Sequence, residues 1–514
     1  MVWSLSIRAL TLAAAAISLI AGASCSRSGA QDATKSESRP APIGKNIGVN
    51  VSTINFWDGS RPFTNLIYGS TWQSRDANGA YHEVPHSQID SAGWVKFLPA
   101  GHEAIRTLYG IANADIVCRW QGSDHGSMQI IGGGGAVRQA RTRGLNELRF
   151  HYASHFPREP IFPSIRYKVD PADYVRNLGC READANPATV LDPTFLNTSR
   201  GFSVIRFMKW QTAVEANTPV SWATRNVPSS GDYLGNDGVP VEIMVALANK
   251  VGADPWFSMP WNADDDYVTR FAAYVRDNLA PGRRAYVEVS NEVWNGSYAV
   301  MRQAEREGIA EGLDSSQGPY GQAMYRYAEK TQHVMQLWSR VFSGRMGRLV
   351  RVVSTQNVSP FWSEQVLGYR GTAERVDALA TAPYWMFGDE DYKGQSLDQI
   401  MGEALPRRLS ESLDWAAKQK EIAERFGKRY IAYEGGQHVW LNHDDALVSQ
   451  IERDPRMYEL YKSYIKQWNS RVGDTLTLFT LTGGIGKAGF GLVEYSGQPD
   501  ADAPKMRAVR EQLH

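Results

Sequence analysis

Residues 285–292 read AYVEVSNE, an apolar, β-branched run that a serine, an asparagine and a glutamate bring to a close. A run of this length and composition is strand-like. Six others share its character in the C-terminal two thirds of the chain: 203–209 (SVIRFMK), 255–260 (PWFSMP), 349–355 (LVRVVST), 376–382 (VDALATA), 429–434 (RYIAYE) and 475–481 (TLTLFTL). An eighth, 46–52 (NIGVNVS), lies far upstream. Between the runs fall amphipathic helical patterns. The one over 239–252 ends on a glycine after Lys250, and another follows Asp264, which reads as an N-cap with Asp265 and Asp266 complementing the helix dipole. Longer helical stretches cover 298–343, 406–426 and 455–470. Regular strand-helix alternation with eight strands predicts an α/β fold, a (β/α)8 TIM barrel.

The interval 60–165 breaks the alternation. Short runs such as WVKFL, ADIVCRW, SMQIIG and LNELRFHY are separated by glycine-rich turns, which predicts an all-β sandwich module inserted after the first barrel strand. The barrel is then expected over 46–59 and 166–514. Gly132 to Gly135 reads as a hairpin turn, because no Lys-Ser/Thr follows it. At the N-terminus Arg8 precedes an apolar run over 9–23, which predicts a signal peptide over 1–24 and export to the periplasm or beyond. Cys25 follows Gly-Ala-Ser as in a lipoprotein box that lacks its usual leucine, so a lipid anchor there is the one expected membrane contact. Residues 25–45 are polar and rich in Ser, Ala and Pro, the composition of a linker.

Among 514 residues, 55 basic and 55 acidic side chains cancel, which gives no electrostatic footprint for nucleic acid and favours a neutral substrate. Sixteen tryptophans and twenty-three tyrosines supply rings for a core and for stacking on sugars. Besides Cys25 there are Cys118 and Cys180, and the sequence leaves open whether they pair. No CxxC or HExxH spacing occurs and the histidines are scattered, so neither a metal nor another cofactor is expected. A metal-dependent hydrolase using His438 is the weakest alternative. Oligomeric state is not legible.

In a parallel barrel the side chains that do chemistry project from the C-terminal ends of strands. Glu292 closes the fourth strand and Glu434 the seventh, and those strands stand across the barrel mouth from each other. Two opposed carboxyl groups are what hydrolysis of a glycosidic bond requires, one protonating the leaving oxygen and the other acting on the opposite face of the sugar. At this point Ser290-Asn291-Glu292-Val293-Trp294 and Tyr433-Glu434-Gly435 resemble the two catalytic motifs of the clan A glycoside hydrolases. That resemblance implies Glu292 as acid/base, Glu434 as nucleophile, and Asn291 as a contact to the sugar 2-hydroxyl. It further implies Arg206 as the arginine that keeps the nucleophile ionised and Tyr384 as a hydrogen-bond donor to it. Through VIRFMKW, GADPWFSMPWNADDDYV, YVEVSNEVWNG and DALATAPYW the chain is also similar to bacterial proteins labelled cellulose-binding.

The clan often carries a tryptophan at the end of strand eight, whereas here the run continues LTGGIGKAGFGLVEY. Phe490, Tyr495 or a residue of another loop is the expected substitute. Trp210, Trp261, Trp294, Trp362 and Trp385 all follow predicted strands, and some of them are expected to line a cleft. The sequence thus predicts an exported retaining glycoside hydrolase acting on a β-linked polysaccharide or oligosaccharide, with its carboxyl groups about 5 to 5.5 Å apart. The alternative is a non-catalytic carbohydrate-binding surface lipoprotein on the same scaffold.

Overall fold

The computed structural model describes residues 46–132, 139–142, 144–153, 162–211, 219–234 and 238–513. The proposed signal peptide, the linker, Cys25 and Gly133 to Gly135 lie outside them. Eight parallel strands close into a barrel: β1 (Ile47–Asn50), β2 (Val204–Arg206), β3 (Asp254–Met259), β4 (Ala285–Val289), β5 (Leu349–Ser354), β6 (Ala378–Thr381), β7 (Arg429–Ala432) and β8 (Leu476–Leu478). β8 returns to β1, with Ile47 opposite Leu476 and Val49 opposite Leu478. All eight predicted runs are barrel strands.

The period-two alternation of each strand sorts its side chains between the barrel lumen and the surrounding helices. Val204, Trp256, Tyr286, Val352, Ala380, Ile431 and Tyr433 form the inner apolar cluster. Ile205, Phe257, Val287, Val353 and Leu379 belong to the larger core shared with the helices. The same alternation turns Arg206, Ser258, Glu288 and Ser354 inward near the C-terminal ends of their strands. A layer of polar groups therefore lies directly below the mouth, above an apolar plug. The helix Asp265–Asn278 begins as expected, with the Asp264 carboxylate accepting from the amide of Tyr267 at 2.7 Å.

Between β1 and β2 the chain builds two antiparallel sheets. One has the order Tyr81–Glu83, Gln73–Arg75, Glu103–Thr107, Ser164–Tyr167, Gln129–Ile131, and the other Arg176–Glu182, Ala114–Gln121, Glu147–Tyr152, Gln139–Arg141. The expected module boundary at residue 165 is too early. Ser164–Tyr167 pairs with Glu103–Thr107, and Arg176–Glu182 pairs with Ala114–Gln121, so the all-β segment runs on to the bridge between Phe63 and Leu191. These last strands take their partners from residues more than thirty positions away, which local pattern does not reveal. Cys180 lies opposite Cys118 in the second sheet, and a disulfide joins them.

Candidate active site

The mouth of the barrel is organised by Arg206, which is wholly buried at the end of β2. Its Nε donates to Glu288 Oε1 at 2.7 Å, Nη1 to Glu434 Oε1 at 2.7 Å and to Asn50 Oδ1 at 3.0 Å, and Nη2 to Asn291 Oδ1 at 2.6 Å. A planar five-donor fork can serve this many acceptors in fixed directions, and a lysine cannot. The guanidinium also lies 5.0 Å from the Tyr433 ring and 5.6 Å from that of Trp256. Glu288 is tied down further by Ser258 Oγ at 2.7 Å and Ser354 Oγ at 2.8 Å.

Glu434 follows β7 and is 4 % exposed. Its second oxygen accepts from Tyr384 Oη at 2.9 Å. Burial raises its pKa above the ordinary glutamate value, while the charge of Arg206, the Tyr384 hydroxyl and the charge of Lys209 all pull it down. The backbone is anchored by Asn50, whose Nδ2 donates to the carbonyl of Tyr433 at 3.0 Å. Gly436, at φ 115°, then turns the chain out of the barrel past the Tyr461 hydroxyl, where a Cβ would stand 2.9 Å from that oxygen.

Glu292 follows β4 and is less enclosed. Its oxygens accept from Tyr433 Oη at 3.1 Å and Asn295 Nδ2 at 3.0 Å, and no cation among the described residues bonds to it. Burial, and next the negative charge of Glu434, raise its pKa to about 7. The two carboxyl groups thus sense each other's charge, and Tyr433, whose hydroxyl donates to Glu292, immediately precedes Glu434. Ser290 and Glu292 both adopt positive φ, 57° and 46°, a conformation that costs a non-glycine residue and often marks a functional turn. Asn291, between them, is buried with its Oδ1 held by Arg206.

The tryptophans divide differently from expectation. Trp210, Trp261 and Trp385 are at most 1 % exposed and cannot stack on a ligand. Trp210 Nε1 donates to the Ser52 carbonyl at 3.1 Å, Trp261 Nε1 to Glu307 Oε1 at 3.1 Å, and Trp385 packs against Tyr461 and Tyr464. Position after a strand placed them near the mouth, but only Trp385 lies in a strand whose alternation buries it; Trp210 closes a short helical turn and packs on Phe63 and Phe195, and Trp261 is buried in the turn after β3. Trp362 is half-buried among Tyr320, Tyr325 and Phe361. Trp294 is half-buried too, its Nε1 3.3 Å from Tyr433 Oη. Arg206, inaccessible itself, can touch no sugar.

An aromatic cluster covers the other side of Glu434. The Tyr384 ring is 5.3 Å from His438, and His438 is 4.9 Å from Phe490. Phe479 lies 5.5 Å from Phe490, with Lys209 Nζ 5.9 Å from its ring. Burial lowers the His438 pKa to about 4, so the imidazole is neutral near pH 7. Asn50, Glu288 and Asn295 escaped the sequence reading, and Tyr433 entered it only as a neighbour of Glu434. For Glu288 a signal existed, since an acid in a lumen-facing register of β4 must have a buried partner.

Neither protein-family models nor curated proteins give a match to the chain. Solved structures to which it is similar include an α-L-arabinofuranosidase from Thermotoga maritima (12% identity, 62% of each chain covered, TM-score 0.38). Others are a 4-O-α-L-rhamnosyl-β-D-glucuronidase from Fusarium oxysporum (13%, 60% of each chain, TM-score 0.38) and an endo-1,4-β-D-mannanase from Thermotoga petrophila (13%, 62% of this chain and 93% of that one, TM-score 0.32). The chain thus spans less than two thirds of the length of the first two.

Proposed function

We propose that the protein is an exported retaining glycoside hydrolase that cleaves a β-linked polysaccharide or oligosaccharide, with Glu434 as nucleophile and Glu292 as acid/base. The observation that carries this reading is the asymmetry of two carboxyl groups at one barrel mouth. Glu434 is bonded to Arg206 and Tyr384, both of which favour its ionised form. Glu292 has no bonded cation among the described residues and holds its proton up to about pH 7. Environments that push two acids apart in this way assign a proton donor and an anion.

In the first step Glu434 attacks the anomeric carbon, the glycosidic C–O bond breaks, and its oxygen takes the Glu292 proton. In the second, Glu292, now ionised, takes a proton from water; the water oxygen attacks the same carbon and releases Glu434. Two inversions retain configuration. Asn291, its carbonyl oxygen fixed by Arg206, offers its amide nitrogen to a sugar hydroxyl, and Trp294 flanks the acid/base.

The disulfide between Cys118 and Cys180 fits an oxidising compartment, in keeping with a signal peptide over 1–24 and with a tether at Cys25. A panel of β-linked glycans, with product anomers read by NMR, tests the activity. Retained configuration is expected. An inverted product would remove Glu434 as nucleophile, and a panel left intact would leave only a carbohydrate-binding scaffold.

A further inference from the structure

Beyond the barrel, the chain segments after β6 and β7 continue side by side as a two-stranded parallel ribbon, Tyr384–Gly388 with Gly436–Trp440. In this register Tyr384 faces Gly436, Met386 faces His438 and Gly388 faces Trp440. Alternation divides the ribbon into two faces. Trp385, Phe387, Gln437 and Val439 are buried beneath it. Tyr384, Met386, His438 and Trp440 share the outer face.

That face starts at the site and leaves it. Tyr384 bonds Glu434, and Trp440 lies four residues beyond Gly436, about 13 Å along the strand. This is farther than one pyranose ring reaches. Along the way Met386 is 57 % exposed and Trp440 38 %, unusual openness for two large apolar side chains placed next to each other.

Trp440 is also held in place. Its Nε1 donates to Asn442 Oδ1 at 3.0 Å, and Asn442 donates from Nδ2 to Asp389 at 2.6 Å and from its backbone amide to Asp389 at 3.1 Å. The backbone at Trp440 and Leu441 is bridged to the loop after β8, through Ala488 and the carbonyl of Lys487. An exposed indole fixed by polar contacts on one edge keeps its faces free for an apolar partner and loses little entropy on binding one.

We infer that this ribbon is a glycan-binding wall on which Trp440 stacks a sugar unit remote from the one at Glu434. The substrate is accordingly a chain rather than a small glycoside. The inference rests on the reading of Glu434 as the reacting carboxylate, since continuity with that residue identifies the occupant as sugar.

Two measurements test it on the full-length protein. In native gels containing soluble β-glucan, glucomannan or xylan, the wild type should be retarded by at least one polysaccharide, Trp440→Phe should keep most of that retardation, and Trp440→Ala should lose it. On β-linked oligosaccharides the ratio of kcat/KM for a hexasaccharide over a disaccharide should fall about tenfold in Trp440→Ala. A wild type retarded by none of the three, equal retardation of Trp440→Ala, or an equal loss on short and long substrates overturns the inference. Retardation that depends on Trp440 in a protein that hydrolyses nothing would instead refute the proposed hydrolysis and leave the wall standing.

Discussion

Burial raises the proton affinity of Glu434, and the strongest opposing influence is Arg206, whose one positive charge is divided between Glu288 and Glu434. Replacing Glu288 by Gln removes a competing anion, so Glu434 should ionise at lower pH and the acid limb of kcat/KM should move down. A merely structural role for Glu288 would lower activity at every pH and leave the limb in place. The alkaline limb belongs to Glu292 and is expected at about pH 7. The sign for stability follows from the same shift. Glu292 binds its proton more tightly in the folded than in the unfolded chain, so its contribution is present at low pH and fades as pH rises through about 7. Glu292→Gln should therefore melt above the wild type at about pH 8 and converge with it near pH 4; the opposite order would mean that the carboxylate is stabilised as an anion. Glu434→Ala should lose about 10⁴-fold in kcat, with azide restoring turnover and giving the inverted product.

Secondary-structure elements fix these side chains through their ends rather than their middles. Arg206 occupies the last position of β2 and Asn50 the last of β1, Glu288 is the penultimate residue of β4, and Glu292 and Glu434 lie in the first few positions past β4 and β7. In the inserted module the comparable constraint is covalent. The strands Ala114–Gln121 and Arg176–Glu182 are joined by the disulfide, which closes a loop with a sequence separation of 62. Cys118→Ala with Cys180→Ala should cost about 2–4 kcal/mol, seen as a lower urea midpoint, while activity below the transition stays near that of the wild type. Loss of activity without loss of stability would tie the module to the site directly.

Taken as a whole, the module and the barrel share one apolar core, with Phe63, Tyr68 and Trp72 in the same cluster as Trp210, Tyr233 and Phe257. Tyr68 stacks on Tyr233 at 4.0 Å, its hydroxyl donates to the Ser230 carbonyl at 3.0 Å, and the Gly231 amide donates to Ala92 at 2.7 Å. The module thereby braces the segment that follows β2, the strand carrying Arg206. Deleting 60–190 should yield an insoluble barrel, and limited proteolysis of the intact protein should release no stable module. A soluble, active barrel lacking those residues would show that the two fold independently.

Local pattern determined the eight strands, the N-cap at Asp264 and the two closing glutamates, because strand periodicity and strand-end position are properties of contiguous residues. It also singled out Arg206 and Tyr384, although only through likeness to other sequences. Tertiary structure alone decided that Glu288 and Asn50 complete the Arg206 cluster, that Cys118 meets Cys180, and that Trp210, Trp261 and Trp385 are core while Trp440 stands in the open. Each of those outcomes depends on which distant segments converge and which way a side chain faces once the barrel has closed, and neither is encoded within a single stretch of chain.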